Sequence, residues 1–128
     1  MHEVIICEKP SSAEKIAKAL SSKAKKNLYN KKIKYWTLNR DSKDITVLSG
    51  VGHLYSLIPN TSSKSSISFN LHWAPAYEVN KKTSGYTRDY VRAIKKFGKD
   101  ADSYVHACDY DVEGTLIGYN ALKYACDL

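Results

Sequence analysis

Val4-Ile5-Ile6-Cys7-Glu8-Lys9-Pro10-Ser11-Ser12-Ala13-Glu14 is the stretch from which the fold is read. Its first four residues are apolar without the alternation of a half-exposed strand. That pattern belongs to strands covered on both faces in a parallel sheet. Glu8-Lys9-Pro10 breaks the run. Ser11 and Glu14 have the spacing of a capping box. Ala13, Ile16, Ala17 and Leu20 then share one helical face. Strand, tight turn and helix in that order open a βαβ unit.

The same grammar returns near the other end. Residues 104–108 form a second short apolar run that ends at Asp109, and it reads as another buried strand. A helix is expected from Thr115, with Leu116, Ile117, Asn120, Ala121 and Tyr124 on one stripe. Between these ends, 33–38 and 45–48 read as strands joined by the turn Asn39-Arg40-Asp41-Ser42. Ser49-Gly50-Val51-Gly52-His53-Leu54 reads as a strand end with two glycines. The polar stretch 61–68 is expected to be a loop, and 73–79 to be extended. Tyr90, Val91, Ile94 and Phe97 mark a helix stopped by Gly98. Strands alternating with helices predict an α/β domain with a mainly parallel sheet.

The 128 residues suit one domain. Hydrophobic residues make up 43% and charged residues 26%, which excludes disorder along the whole length. No apolar run approaches the ~18 residues of a spanning helix. The start, Met1-His2-Glu3-Val4, lacks a basic segment followed by an apolar one, so no export signal is expected. Cys7, Cys108 and Cys126 are odd in number and unpaired in spacing, which fits reduced thiols. The expected location is cytoplasmic and nucleoid-associated.

Lys and Arg number 20 against 13 Asp and Glu, a net charge of +7. A polyanion, nucleic acid first, is the expected partner. From Lys15 to Arg40 there are eight Lys and one Arg and no acid. This run reads either as a solvated face or as a patch lying along phosphates. Tyr29, Tyr35 and Trp36, interleaved with it, favour the second reading.

The chemistry concentrates in Asp109-Tyr110-Asp111-Val112-Glu113-Gly114, where a strand meets a helix. In an extended segment Asp109 and Asp111 share a side about 7 Å apart, and Glu113 continues that register. Carboxylates so placed repel one another unless a cation sits among them. Magnesium suits carboxylate, water and phosphate oxygens. Gly114 leaves room for a backbone or a phosphate. Glu8 ends the first strand as Asp109 ends the later one, and ligands of open parallel sheets bind outside the carboxyl ends of the strands. Neighbouring strands would bring Glu8, Lys9 and the acidic trio to one crevice. Acids at helix starts also serve as caps. His53 is equally compatible with a phosphate contact and a structural role. His2 and His106 read as packed or edge residues, and Cys7 and Cys108 as core fillers.

With Ile6-Cys7-Glu8-Lys9-Pro10-Ser11 and Ala107-Cys108-Asp109-Tyr110-Asp111-Val112-Glu113-Gly114 in place, the chain resembles a Toprim domain. It is most similar to the N-terminal Toprim domain of type IA DNA topoisomerases of the archaeal type. Val51-Gly52-His53-Leu54 and Pro75-Ala76-Tyr77-Glu78-Val79 fall in the family's order. The resemblance implies a Rossmann-like fold over 1–128, with helices on both faces of a mainly parallel sheet and an edge strand of the domain missing. It implies relaxation of negatively supercoiled DNA by single-strand breakage and rejoining without ATP, on a single-stranded region of the duplex. Glu8 would be the general acid and base, and Lys9 would contact phosphate. Asp109, Asp111 and Glu113 would hold magnesium, with His53 near phosphate. The nucleophilic tyrosine would lie in a further domain in cis, leaving this chain inactive alone. Many members carry Arg at the position of Val112 and a second Glu at that of Thr115. The rival expectations are a Toprim primase or nuclease, and a basic nucleic-acid-binding module without metal chemistry.

Overall fold

The computed structural model describes residues 1–60 and 70–128; the expected loop at 61–68 lies outside the described residues. Strand β1 (His2–Cys7) runs straight into helix α1 (Pro10–Leu20). Val4, Ile5, Ile6 and Cys7 are all buried, as their unbroken apolar run requires. Strands β2 (Lys25–Tyr29), β3 (Ile33–Arg40) and β4 (Lys43–Ser49) follow. Asp41 and Ser42 close the β3–β4 hairpin with φ of 52° and 63°, the left-handed pair of a two-residue turn. Strands β5 (Tyr55–Pro59) and β6 (Leu71–Pro75) pair as a separate antiparallel ribbon. Short helices α2 (Ala76–Val79) and α3 (Lys81–Ser84) lead to α4 (Thr87–Gly98), β7 (Ser103–Ala107) and α5 (Val112–Asn120). A π-helical turn, Ala121–Ala125, closes the order.

The main sheet has the order β2-β3-β4-β1-β7. Strand β1 is parallel to both β4 and β7, with Cys7 beside Ser49 and Ala107. Strands β2 and β3 extend the sheet antiparallel. The expected α/β fold is therefore present: parallel at its centre, antiparallel on one flank.

Alternation along β1 divides the core. Ile5 and Cys7 pack with Ala13, Ala17, Trp36 and Val47 beneath α1. Val4 and Ile6 pack on the other face with Leu48, Val91, Ile94 and Ala121, beneath α4 and the π-helical turn that continues α5. Helices thus cover both faces. Truncating a residue as buried as Ile6 to Ala costs about 2–5 kcal/mol. Among the described residues no helix is long and apolar enough to cross a membrane.

Several expectations need correction. Ser11 does not cap α1: Lys9 occupies that position without a side-chain cap, because Pro10 fits the first helical turn, and Glu14 pairs with Lys18 instead. Helix α5 starts at Val112, three residues before Thr115, because Asp111 caps it. The extended stretch 73–79 turns helical at Ala76. Strand β7 is an edge strand rather than a buried one, with Val105 38% exposed. Helix α4 does end at Gly98 as expected, but Gly98 stays right-handed; it is needed because a Cβ there would run into the Cys126 Sγ. The three aromatics of the basic run face inward: Trp36 is buried, and Tyr35 and Tyr29 pack on Phe97 with ring centroids 4.6 and 6.3 Å away.

Candidate functional site

The parallel strands β4, β1 and β7 end at one edge of the sheet, so their following connections share it. Strand β4 delivers Gly50-Val51-Gly52-His53, β1 delivers Glu8-Lys9, and β7 delivers Cys108 and the acids 109–113. Helices α1 and α5 leave this edge toward opposite faces. Divergence of that kind opens a crevice at the strand ends.

Glu8 sits in the crevice. Its Oε2 is buried and has no hydrogen-bond partner. Its carboxyl is held above the usual carboxylate range, chiefly by burial, then by the side-chain hydrogen bond and the charge of Asp109, and also by the charge of Asp111. The Asp109 backbone N–H offsets part of this. Burial and the neighbouring carboxyls disfavour the ionised form. The two acidic segments therefore meet, as neighbouring strands require. Lys9 is exposed at the crevice edge, its carbonyl accepting from the N–H groups of Ser12 and Ala13 at 3.1 and 3.2 Å.

The segment 109–113 departs from the extended register expected of it. Asp111 N–H donates to the Asp109 carbonyl at 2.9 Å, which turns the chain. Asp111 Oδ1 then accepts from Gly114 N–H at 2.6 Å and caps α5. Glu113 falls in the first helical turn, where its Oε1 lies 3.4 Å from His53 Nε2. The three carboxylates consequently do not line up with a period of two. An Asp directly before a helix start is a favoured cap, and the sequence carries that signal. Gly114 has a second reason to be glycine: a Cβ there would lie 2.9 Å from both N and C of Asp109.

Among the described residues no three His, Cys, Asp or Glu side chains form a ready metal cluster. The donor chemistry nevertheless fits a hard divalent cation. Glu8, Asp109 and Asp111 offer only oxygen, one of those oxygens is buried without a partner, and no thiol competes. Burial pushes the thiols of Cys7 and Cys108 up to about 12, so both stay protonated and serve as packing. Such a site suits an ion that keeps part of its water shell.

The remaining histidines are structural. His2 Nε2 lies 2.9 Å from Thr46 Oγ1. His106 Nε2 lies 3.0 Å from the Thr115 carbonyl, and its ring fills the space beside Gly118. His72 contacts Asn60 at the β5–β6 ribbon. Of the four, His53 alone reaches the crevice residues. Next to them, Tyr110, Val112, Leu116 and Tyr119 line an open groove of about 560 Å³, with Val112 87% exposed.

Comparison with known proteins agrees with this geometry. The Toprim domain profile matches residues 3–128. The chain is 56% identical over 126 residues to DNA topoisomerase 1 of Methanothermobacter thermautotrophicus, covering 98% of this chain and 17% of that protein. It is 45% identical over 128 residues to DNA topoisomerase 1 of Methanocaldococcus jannaschii, covering 98% and 16%. For the Pyrococcus horikoshii protein of the same name the values are 42% over 125 residues, 96% and 18%. The chain thus spans less than a fifth of the length of these relatives.

Proposed function

The chain belongs to the Toprim domain family, and we propose that it supplies the acid/base and metal-holding half of a type IA DNA topoisomerase site. The observation that carries this reading is Glu8. Its carboxyl is partly buried, has one oxygen without a partner, and is pressed by Asp109 and Asp111 at the carboxyl ends of parallel strands. A carboxyl with raised proton affinity is suited to general acid work near neutral pH.

In this reading the backbone of one strand is cleaved by transfer to a tyrosine outside this chain. Glu8 gives its proton to the departing 3′ oxygen and recovers it on rejoining. Lys9 places a point charge beside the phosphate. Asp109, Asp111 and Glu113 would hold magnesium. When bound, that ion adds positive charge next to the scissile phosphate. His53, 3.4 Å from Glu113, stands beside the same site and would donate to a phosphate oxygen. The outcome for the whole enzyme is relaxation of negatively supercoiled DNA without ATP. The ten tyrosines here lack a nucleophile motif, and by itself the chain is inactive.

The test is Glu8→Gln in the polypeptide that also carries the nucleophile. Removing a general acid costs about 10²–10⁴ in rate. Cleavage should fall by that order in a plasmid-nicking assay while the circular dichroism spectrum stays unchanged. Cleavage at the parent rate would remove Glu8 from the mechanism.

A further inference from the structure

The basic run is not spread evenly around the fold. In β2 and β3, Lys26 lies directly opposite Trp36, and Lys34 opposite Leu28. Directly paired residues share a face of the sheet, as do residues two apart on one strand. Trp36 packs beneath α1 with Ala13 and Ala17. Lys26 and Lys34 therefore emerge on the α1 face, along its flank. On α1 itself, Lys18 Nζ lies 2.7 Å from Glu14 Oε1, with the two side chains 69% and 44% exposed. The carboxyl of Glu14 is held below the usual range first by Lys18, then by the charges of Lys26 and Lys34. Three lysines from three elements thus surround one acid.

Guarding of the edge strand β2 against pairing explains lysines on β2. It explains neither Lys34 on the inner strand β3 nor Lys18 on a helix. Segment 15–40 also contains no acid to balance them. Tyr29, Tyr35 and Trp36 are turned into packing, so the cluster offers charge without a stacking platform. A partner read by charge alone, with regularly spaced anions, is a phosphate backbone. The position is also suitable. Lys18 follows Pro10 by eight residues of helix, about 12 Å at 1.5 Å each, and Pro10 adjoins the Glu8-Lys9 edge. That is the length of about three to four base pairs.

We propose that Lys18, Lys26 and Lys34, grouped around Glu14, form a phosphate-contacting surface. It holds duplex DNA flanking the segment engaged at the acidic edge, and Glu14 limits its grip. This rests on the topoisomerase reading and adds a separate contact surface to it.

The test is fluorescence anisotropy of the purified protein on a labelled 20-base-pair duplex and a 20-nucleotide single strand across a salt series. The combined variant Lys18→Gln, Lys26→Gln, Lys34→Gln should bind the duplex about tenfold or more weakly at low salt. Its salt slope should be smaller by about 3, near one per lost phosphate contact. Glu14→Gln should bind more tightly, with a slope no smaller than that of the parent. A combined variant with the parent's duplex affinity and slope, or one weakened only on the single strand, would overturn the proposal. If Asp111→Asn still abolishes the response of binding to magnesium in that case, only this surface falls. A parent protein with no salt-sensitive DNA binding would sink the functional reading along with it.

Discussion

Two connections carry the acids, and they are built in opposite ways. The β7–α5 connection is hydrogen-bonded throughout: Asp111 N–H to Asp109, Asp111 Oδ1 to Gly114, Glu113 to His53. The β1–α1 connection gives its acid no such local network; among the described residues Glu8 meets only Asp109, across the crevice. Lys9, not Glu8, occupies the cap position, no side chain caps α1, and Glu8 keeps one buried oxygen without a partner. Acids held in a local network keep their geometry at little cost. An acid that is partly desolvated beside two others binds a proton more readily. The contrast divides the labour: one connection shapes a site, and the other carries the group able to exchange a proton.

The steepest stability change should come from the ordered connection. Gly114→Ala places a Cβ against the Asp109 backbone, and overpacking of that kind costs about 1–3 kcal/mol. Urea unfolding should report a lower midpoint with an unchanged slope. A wild-type midpoint would mean that the α5 junction yields without strain. Next comes Asp111. Asp111→Ala removes the cap, worth about 1 kcal/mol, whereas Asp111→Asn keeps a capping oxygen and loses only the charge. Thermal melts with and without magnesium should separate the two: Asn close to parent in stability but without a magnesium shift, Ala lower in both. If Asn retains the full magnesium shift, Asp111 is a cap and nothing more.

The smallest effect belongs to Glu8, and its sign is the opposite. A carboxyl whose folded pKa is raised above the unfolded value destabilises the fold once ionised. Metal-free Glu8→Gln should therefore melt slightly higher than the parent at pH 7. The gain should vanish below the ordinary carboxylate range, where both states of the parent are protonated. A lower melting temperature at pH 7 would show that Glu8 is a structural group.

Much of this was legible in the sequence, for physical reasons that can be named. An unbroken apolar run suits a strand covered on both faces, so β1 and its place inside the sheet follow from Val4-Ile5-Ile6-Cys7. The Tyr90, Val91, Ile94, Phe97 spacing likewise specifies α4. The convergence of Glu8 with the acids after β7 follows from both being strand ends in a parallel sheet. Strand β2 was hidden because Lys25-Lys26-Asn27-Leu28-Tyr29 has no apolar alternation; it is an edge, and edges tolerate lysine. Edge placement also explains why β7 is more exposed than its composition suggests. The inward turn of Tyr29 and Tyr35 depends on Phe97, more than sixty residues away in the chain. The course of 109–113 was misread because Asp111 served two patterns at once, strand alternation and helix capping, and the hydrogen bond to Gly114 decides for the cap.

The central claim is that acids from two separate connections meet in one crevice, the cation on the β7–α5 side and Glu8 facing it. Its most direct test is the anomalous difference map of crystals soaked in manganese, with the crevice clear of lattice contacts. One peak is expected within coordination distance, about 2.0–2.3 Å, of Asp109 or Asp111 carboxylate oxygens, on the side facing Glu8. A crevice with no peak, or a Glu8 carboxyl turned away from Asp109, would contradict it.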